Sequence, residues 1–384
     1  MSDLLWPGDA RGGDHLTDGS FLRAMVTVEA AWLDVLGVAH GPLPGIDPAA
    51  VPSENAGNPV VGMVGILRER LDADAARWVH RGLTSQDVVD SALMVLLRDA
   101  VSDVRRDLRQ QIGMLADLAE THRTTPMVGR TLTQHAVPTT FGIKVAGWLT
   151  AVLDAEEDLA SLAFPVQLGG AAGTLAAIVE LGLDPTAARD QLAAALGLTP
   201  SMPWHTARAP ITRVGDAAVG CTDAWGRIAN DVLGLSRPEI GELAEGEGGG
   251  SSTMPHKRNP VLSALIRRAA LAAPQLAATL HVAAANSVDE RAAGAWHAEW
   301  ATVATLVRRT VVAGSQASDL LAGLRVQADR MAATLGTADI GSEQQSMAEL
   351  AGHEPSRGYR GATDEIIDAA LDRARRSLKS EEPT

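Results

Sequence analysis

The sequence predicts an all-α protein, an elongated antiparallel bundle of long helices. Apolar residues recur at three- and four-residue spacings over long stretches that few glycines or prolines interrupt. Aromatic residues make up only 3% of the 384 positions, with one Tyr and three Phe, while Ala and Leu abound. Such a composition favours helices packed through small side chains over sheets, which draw on β-branched and aromatic residues. No segment alternates with a strand period for more than a few residues.

The elements follow in order. Phe21, Leu22, Met25, Val28, Trp32, Val35 and Leu36 define a helix over 19–39, ended by Gly37, Gly41 and Pro42. A Pro/Gly-rich link over 41–58 and a shorter helix over about 59–72 come next. At 84–87 Thr84 or Ser85 caps orphan amides and Asp87 suits the positive helix start. From there an apolar stripe through Val88, Ala92, Val95, Leu96, Val104, Leu108, Ile112, Leu115 and Leu118 runs to His122. That is a helix of about 35 residues, roughly 50 Å long. Further long helices are expected at about 137–162, 208–235, 259–285 and 290–323, with turn-rich links at 123–130, 164–174, 199–207 and 236–258. The chain divides into an N-terminal lobe (1–80), a central bundle (81–325) and a reduced C-terminal segment (326–384). The central stripes are wide and rich in Ala and Leu, as expected if several copies associate in a closed tetramer.

Bulk properties narrow the function. The net charge of −14, from 33 Lys and Arg against 47 Asp and Glu, argues against a nucleic-acid or anionic-membrane surface. The lone Cys221 cannot form an internal disulfide, which fits a reducing compartment. Residues 1–20 show no secretory pattern, so a cytoplasmic protein is expected. The most apolar run, 269–285, contains Pro274, Gln275 and His281 and reads as too short and interrupted to cross a membrane. The ten His and one Cys show no metal-ligand spacing, and neither a metal nor a cofactor is expected.

The chemistry concentrates at 246–260, Gly-Glu-Gly-Gly-Gly-Ser-Ser-Thr-Met-Pro-His-Lys-Arg-Asn-Pro. Glycines 246, 248, 249 and 250 give the backbone access to φ > 0 and close approach to a ligand. Pro255 and Pro260 stiffen the other end, with Pro260 suited to the first turn of the next helix. This is the pattern of a catalytic flap. The spacing fails for a phosphate-binding P-loop.

The run Gly250–Pro260 resembles the signature of the fumarase/aspartase superfamily. Those proteins are all-α homotetramers that make or break a bond β to a carboxylate through a carbanion-like intermediate. His80-Arg-Gly-Leu-Thr84-Ser85-Gln86-Asp87 resembles a second block of that superfamily, and Gly129-Arg-Thr-Leu-Thr-Gln134-His135 a third. The resemblance implies a proton-transferring Ser252, with Lys257 and Asn259 on the carboxylate beside the carbanion and Thr84 and Ser85 on another carboxylate. Ser251 belongs to the same motif.

Within the superfamily the pattern is most similar to the 3-carboxy-cis,cis-muconate cycloisomerase family. In adenylosuccinate lyase, argininosuccinate lyase and fumarase a His usually follows the Thr of the third block directly, where this chain has Leu132, and its His comes three residues on, at His135. The Ser and Arg that hold the nucleotide phosphate in adenylosuccinate lyase fall at Trp296 and Trp300, which argues against a nucleotide substrate. Gln167-Leu-Gly-Gly-Ala-Ala-Gly-Thr174, Pro203-Trp-His-Thr-Ala-Arg208 and Glu290-Arg-x-x-Gly-Ala-Trp-His-Ala-Glu-Trp300 match the cycloisomerase pattern. The similarity covers roughly 15–325 and thins afterwards, where a C-terminal lobe is largely skipped. It implies an intramolecular lactone closure on a small polycarboxylate, in active sites shared between subunits. Arg208, Arg291, Lys257, Thr84, Ser85, Gln134 and Asn259 would hold the carboxylates, with His80 and Trp296 at the substrate. Ser252 or His135 would transfer the proton.

Plainer uses stay open. His80 and His205 also suit polar caps, Trp204, Trp296 and Trp300 packing anchors, and Arg208 and Arg291 partners for acidic neighbours. His297 and Glu299 read as an oriented pair or a solvated face. Another superfamily lyase on an anionic substrate, or an inactive scaffold of this fold, remains an alternative.

Overall fold

The computed structural model describes residues 3–246, 248–250, 253–254, 256–356 and 358–379, so Ser251 and Ser252 lie outside the described residues. Its helices are α1 (Asp18–Val35), α2 (Val60–Arg70), α3 (Ala73–Trp78), α4 (Ser85–Thr121), α5 (Phe141–Ala160), α6 (Ala176–Glu180), α7 (Pro185–Leu196) and α8 (Ala209–Leu235). They continue with α9 (Val261–Ala285), α10 (Ala295–Gly323), α11 (Ala328–Thr337), α12 (Ser342–Ala351) and α13 (Thr363–Lys379). The all-α expectation holds.

Two small antiparallel ladders, not expected from the sequence, join the helices: β1 (Pro126–Thr131) with β2 (Gln134–Thr140), and β3 (Leu243–Ala244) with β4 (Arg325–Val326). The first replaces the link expected at 123–130 and delays α5 to residue 141.

The chain forms two compact units. The first comprises 1–103, 161–219 and 273–312, the second 104–160, 220–272 and 313–384, and the chain passes between them within α4, α8, α9 and α10 and directly after α5.

The core of the first unit collects Met25, Val28, Trp32 and Leu33 of α1, Val88, Val89, Ala92 and Leu93 of α4, and Val303 and Leu306 of α10. Two neighbouring residues of α1 grip the corner that leads into α4. Trp32 donates its indole N–H to the Arg81 carbonyl at 2.6 Å, and Glu29 takes the His80 amide.

The second unit is built on Leu108, Ile112 and Leu115 of α4, Val145, Trp148 and Leu149 of α5, and Trp225, Ile228 and Val232 of α8. Buried indoles need partners. Trp148 donates to Asp231 at 2.8 Å and Trp225 to Gln111 at 2.6 Å, while Gln111 donates onward to the Gly314 carbonyl at 3.0 Å. Here small residues set the helix spacing: a Cβ on Gly226 of α8 would lie 2.5 Å from the Cβ of Ala270 on α9. Burial pushes the Cys221 thiol far up, so it stays protonated and inert.

Helix α9 fills the stretch expected to be helical at about 259–285 and extends beyond the most apolar run at 269–285. Its 25 residues are long and apolar enough to cross a membrane by length and composition alone, although Pro274 interrupts them. Only 28% of its most apolar window is buried, and Leu271 and Val282 are 69% and 63% exposed.

The β1–β2 hairpin is held by charge as well as by its ladder. Arg130 forks onto Glu242 with contacts of 2.9 and 2.7 Å, and the glutamate side chain is 0% exposed. Removing one partner strands a buried charge. Arg130→Ala is therefore expected to cost about 3 kcal/mol in urea unfolding followed by circular dichroism. An unchanged midpoint would show that the clasp contributes nothing.

Candidate active site

The first motif block lies in the first unit. Thr84 caps α4, its carbonyl accepting from Asp87 N–H at 3.0 Å and its own N–H donating to the Asp87 carboxylate at 3.0 Å. Asp87 thus does more than meet the helix dipole. Its two oxygens also accept from Gly169 N–H at 2.9 Å, Gly170 N–H at 3.0 Å and the Gln167 side chain at 3.2 Å. The buried carboxylate ties the start of α4 to the 167–170 segment. His205 Nε2 stands 3.3 Å from Asp87 but makes no hydrogen bond, since distance alone does not satisfy the geometry. A Cβ on Gly169 would come within 2.2 Å of the His205 ring, so glycine is required there.

Of the residues expected at the substrate, Thr84 and Arg291 are brought together: the Arg291 guanidinium donates to the Thr84 hydroxyl. Arg291 is exposed, and Thr84 and Ser85 are half-buried at the helix start. His80 sits four residues before Thr84 at a φ of 63°. A left-handed, non-glycine backbone of this kind costs on the order of 1–3 kcal/mol and persists where its surroundings impose it. Glu29, 0% exposed, does so by accepting the His80 amide at 2.9 Å and Nδ1 of its ring at 2.7 Å.

Arg208 and Trp296 are placed differently from expectation. Arg208 is 2% exposed, and its three nitrogens are spent on protein carboxylates: Nε on Glu299 at 3.0 Å, Nη1 on Asp90 at 2.7 Å, and Nη2 on Glu299 at 2.6 Å and Asp90 at 3.1 Å. Its plane lies 4.7 Å from the centre of the Trp204 ring. Trp296, 2% exposed, donates to Asp90 at 2.9 Å, and its ring meets Trp300 edge-on. Both belong to a buried clasp beneath the site, because two buried carboxylates leave this cation no donor for a ligand. Of the paired His297 and Glu299, His297 is exposed and Glu299 belongs to the clasp.

Sequence reasoning missed Glu29, Asp90 and Gln167. For the first two the signal was a carboxylate on an apolar stripe: Glu29 follows Met25 by four residues and precedes Trp32 by three, and Asp90 is flanked by Val88, Val89 and Ala92.

The other two blocks lie in the second unit. Gln134 and His135 open β2 and pair with Thr131 and Arg130 across a two-residue turn. Leu132 and Thr133 form that turn at φ values of 48° and 69°, and Leu132 is 96% exposed. Gly129 sits at a bulge, where a Cβ would meet the Val137 carbonyl at 3.0 Å. His135 and Thr133 line a cavity of about 670 Å³ with Lys144, Arg227 and Arg237.

The signature loop has a closed neck. Gly249 N–H donates to the Asn259 carbonyl at 2.9 Å and Asn259 N–H to the Gly249 carbonyl at 2.8 Å. The Asn259 side chain donates to the Gly250 carbonyl at 3.4 Å, and Lys257 is exposed. None of Gly246, Gly249 and Gly250 adopts positive φ, contrary to the torsional role read for them. Gly246 and Gly249 allow close approach: a Cβ on Gly246 would lie 2.7 Å from the Gly323 carbonyl, and one on Gly249 2.3 Å from Val261. Pro260 immediately precedes α9, whose first amides are received by the buried Glu245, from Leu262 at 3.2 Å and Ser263 at 2.7 Å. Among the described residues no group of His, Cys, Asp and Glu is arranged to hold a metal ion.

These three blocks, on this helical scaffold, define a lyase-type enzyme. The lyase family profile matches residues 43–274, and the chain belongs to that family, within the fumarase/aspartase superfamily. It is 46% identical over 349 residues to a nitrosuccinate lyase of Streptomyces davaonensis, an alignment covering 83% of this chain and 73% of that protein. It is 44% identical over 291 residues to a 3-carboxy-cis,cis-muconate cycloisomerase of Pseudomonas aeruginosa, covering 73% of this chain and 62% of that one. The crystal structure of the 3-carboxy-cis,cis-muconate lactonizing enzyme from Pseudomonas putida superposes with a TM-score of 0.82 at 31% identity, over 100% of this chain and 91% of that one.

Burial raises the Glu299 carboxyl above its ordinary 4.5, and Arg208 opposes the shift. An acid held higher in the folded state gains from protonation below its unfolded value and loses that gain as pH rises through the folded one. Arg208→Met is expected to destabilise the fold by about 3–5 kcal/mol near neutral pH, by stranding Asp90 and Glu299. The deficit should shrink as the pH falls towards 4.5, in urea titrations across that range. A pH-independent deficit would show that the carboxylates are not the cause.

Proposed function

We propose that the chain is a cofactor-independent cycloisomerase that closes a lactone on 3-carboxy-cis,cis-muconate. The likeness to the Pseudomonas putida lactonizing enzyme across 100% of this chain carries the reading. The hairpin that presents His135 in place of a His at Leu132 supports it. One carboxylate of the substrate adds across the conjugated double bond, and a proton goes to the carbon next to another carboxylate. Nucleophile and electrophile share one molecule, so the enzyme supplies orientation, charge stabilisation and a proton.

In this reading Thr84, Ser85 and Arg291 hold one carboxylate, with His80 beside them. Lys257 and Asn259 hold the carboxylate whose neighbouring carbon takes the proton, and Ser251 and Gln134 supply further hydrogen bonds. Ser252 transfers the proton, with His135 as its competitor. Arg208 and Trp296 position the first block from beneath. The substrate is a small polycarboxylate, and the enzyme assembles as a homotetramer whose sites are shared between subunits. The exposed apolar face of α9 supports self-association.

A second reading is favoured by the 46% identity to nitrosuccinate lyase. There the same groups would hold the two carboxylates of nitrosuccinate, a base would take the proton beside one of them, and the C–N bond would break to release nitrite and fumarate. Both reactions place negative charge beside a carboxylate, so one site architecture serves either.

Two parallel assays separate them. Loss of the conjugated-diene absorbance of 3-carboxy-cis,cis-muconate is expected, with no nitrite released from nitrosuccinate, and the reverse pattern selects the second reading. Ser252→Ala is expected to lower kcat by about 10²–10⁴, the usual range for a positioned acid or base. A variant near full activity transfers the role to His135. Analytical ultracentrifugation at micromolar concentration should give a tetramer, and a monomer there would remove the shared site.

A further inference from the structure

We propose that Glu29 is a positioning residue for the reaction: it holds His80 in the tautomer protonated at Nδ1, leaving Nε2 as the ring atom that meets the substrate. The inference rests on the reading of residues 80–85 as the carboxylate-binding end of the site. Glu29 sits on the buried stripe of α1, 0% exposed. One of its oxygens accepts the His80 amide at 2.9 Å, the other lies 2.7 Å from Nδ1.

A carboxylate only accepts, so Nδ1 carries the proton and Nε2 has the free lone pair. Among the described residues Nε2 has no hydrogen-bond partner, and the side chain is 19% exposed. When Nε2 also takes a proton, the ring becomes a cation balanced by the carboxylate behind it, and the new N–H points away from Glu29. The ring donates to a carboxylate substrate only as that cation, for which the Glu29 carboxylate is the balancing charge, and it does so without first reorienting.

The surrounding backbone is fixed to the same end. The Val79 carbonyl accepts from Arg68 at 2.8 Å and the Arg81 carbonyl from Trp32 at 2.6 Å. Gly82 turns at a φ of 91°, and a Cβ there would lie 3.3 Å from the Trp32 ring. Four consecutive residues are thus gripped from three sides, and His80 is held in a conformation that histidine rarely adopts. Four residues on from His80 stands Thr84, whose hydroxyl receives Arg291.

The test is nitrogen-15 NMR of the full chain labelled at its histidine rings, with the His80 signals assigned by their loss in His80→Gln. In the wild type His80 is expected in the Nδ1–H form. In Glu29→Gln the amide oxygen still accepts the His80 N–H while its NH₂ faces Nδ1, so the ring should switch to the Nε2–H form. With whichever of 3-carboxy-cis,cis-muconate and nitrosuccinate is turned over, kcat/KM should fall about 10–100-fold at an unchanged thermal midpoint. An Nε2–H form in the wild type overturns the inference without any variant. So does a switched tautomer with unchanged kinetics, or a rate loss without a switch. If the wild type turns over neither substrate, the proposed function fails, and the two ring spectra alone decide for or against the Glu29–His80 pair.

Discussion

A fixed ratio of buried charges governs the first unit. Arg208 is the single guanidinium among Asp90 and Glu299, all of them sealed from water, and each of its nitrogens answers a carboxylate oxygen. Isolated, any of these charges would be costly at such depth. Together they join α4, the start of α8 and α10 through side chains that tolerate little displacement. Asp87, one turn before Asp90, extends the same principle with backbone amides from 169 and 170. The carbon skeleton of the core gives the unit its bulk, and this charge lattice sets the register in which Thr84 and Arg291 meet.

Strain is distributed in a matching way. Among the described residues, positive φ occurs at six non-glycine positions, and two of the places, His80 and the Leu132–Thr133 turn, lie inside motif blocks. Each is imposed from outside: His80 by Glu29, the turn by a ladder whose far side carries the Arg130–Glu242 fork. Residues held this way lose little entropy when a ligand arrives, because the ordering has been done by folding.

The helices were legible in the sequence because their stripes are long, and α4 begins where Thr84 and Ser85 place it. The blocks were legible because their residue chemistry is diverse for loops. The hairpin was not, since its turn is Leu-Thr and lacks the Asn-Gly or Asp-Gly pair that marks such turns. The role of Arg208 was not decidable from one dimension: an arginine near acidic residues reads equally as ligand or as clasp until burial is known. The glycines at 246–250 were read for their torsional freedom, whereas Gly249 is needed because Val261 occupies the space a side chain would fill. Contacts between distant segments decide such cases, and periodicity carries no trace of them.

The closed neck of the signature loop has an evolutionary consequence. Positions 249 and 259 are joined by a reciprocal pair of backbone hydrogen bonds, and Glu245 secures the helix start just beyond. The intervening residues therefore form a module whose anchorage does not depend on its contents. Lengthening such a closed loop costs only about 0.6 kcal/mol per doubling. Selection can thus rewrite what the loop presents to a substrate while the bundle beneath keeps the same geometry, so one scaffold can diversify its reactions without being refolded.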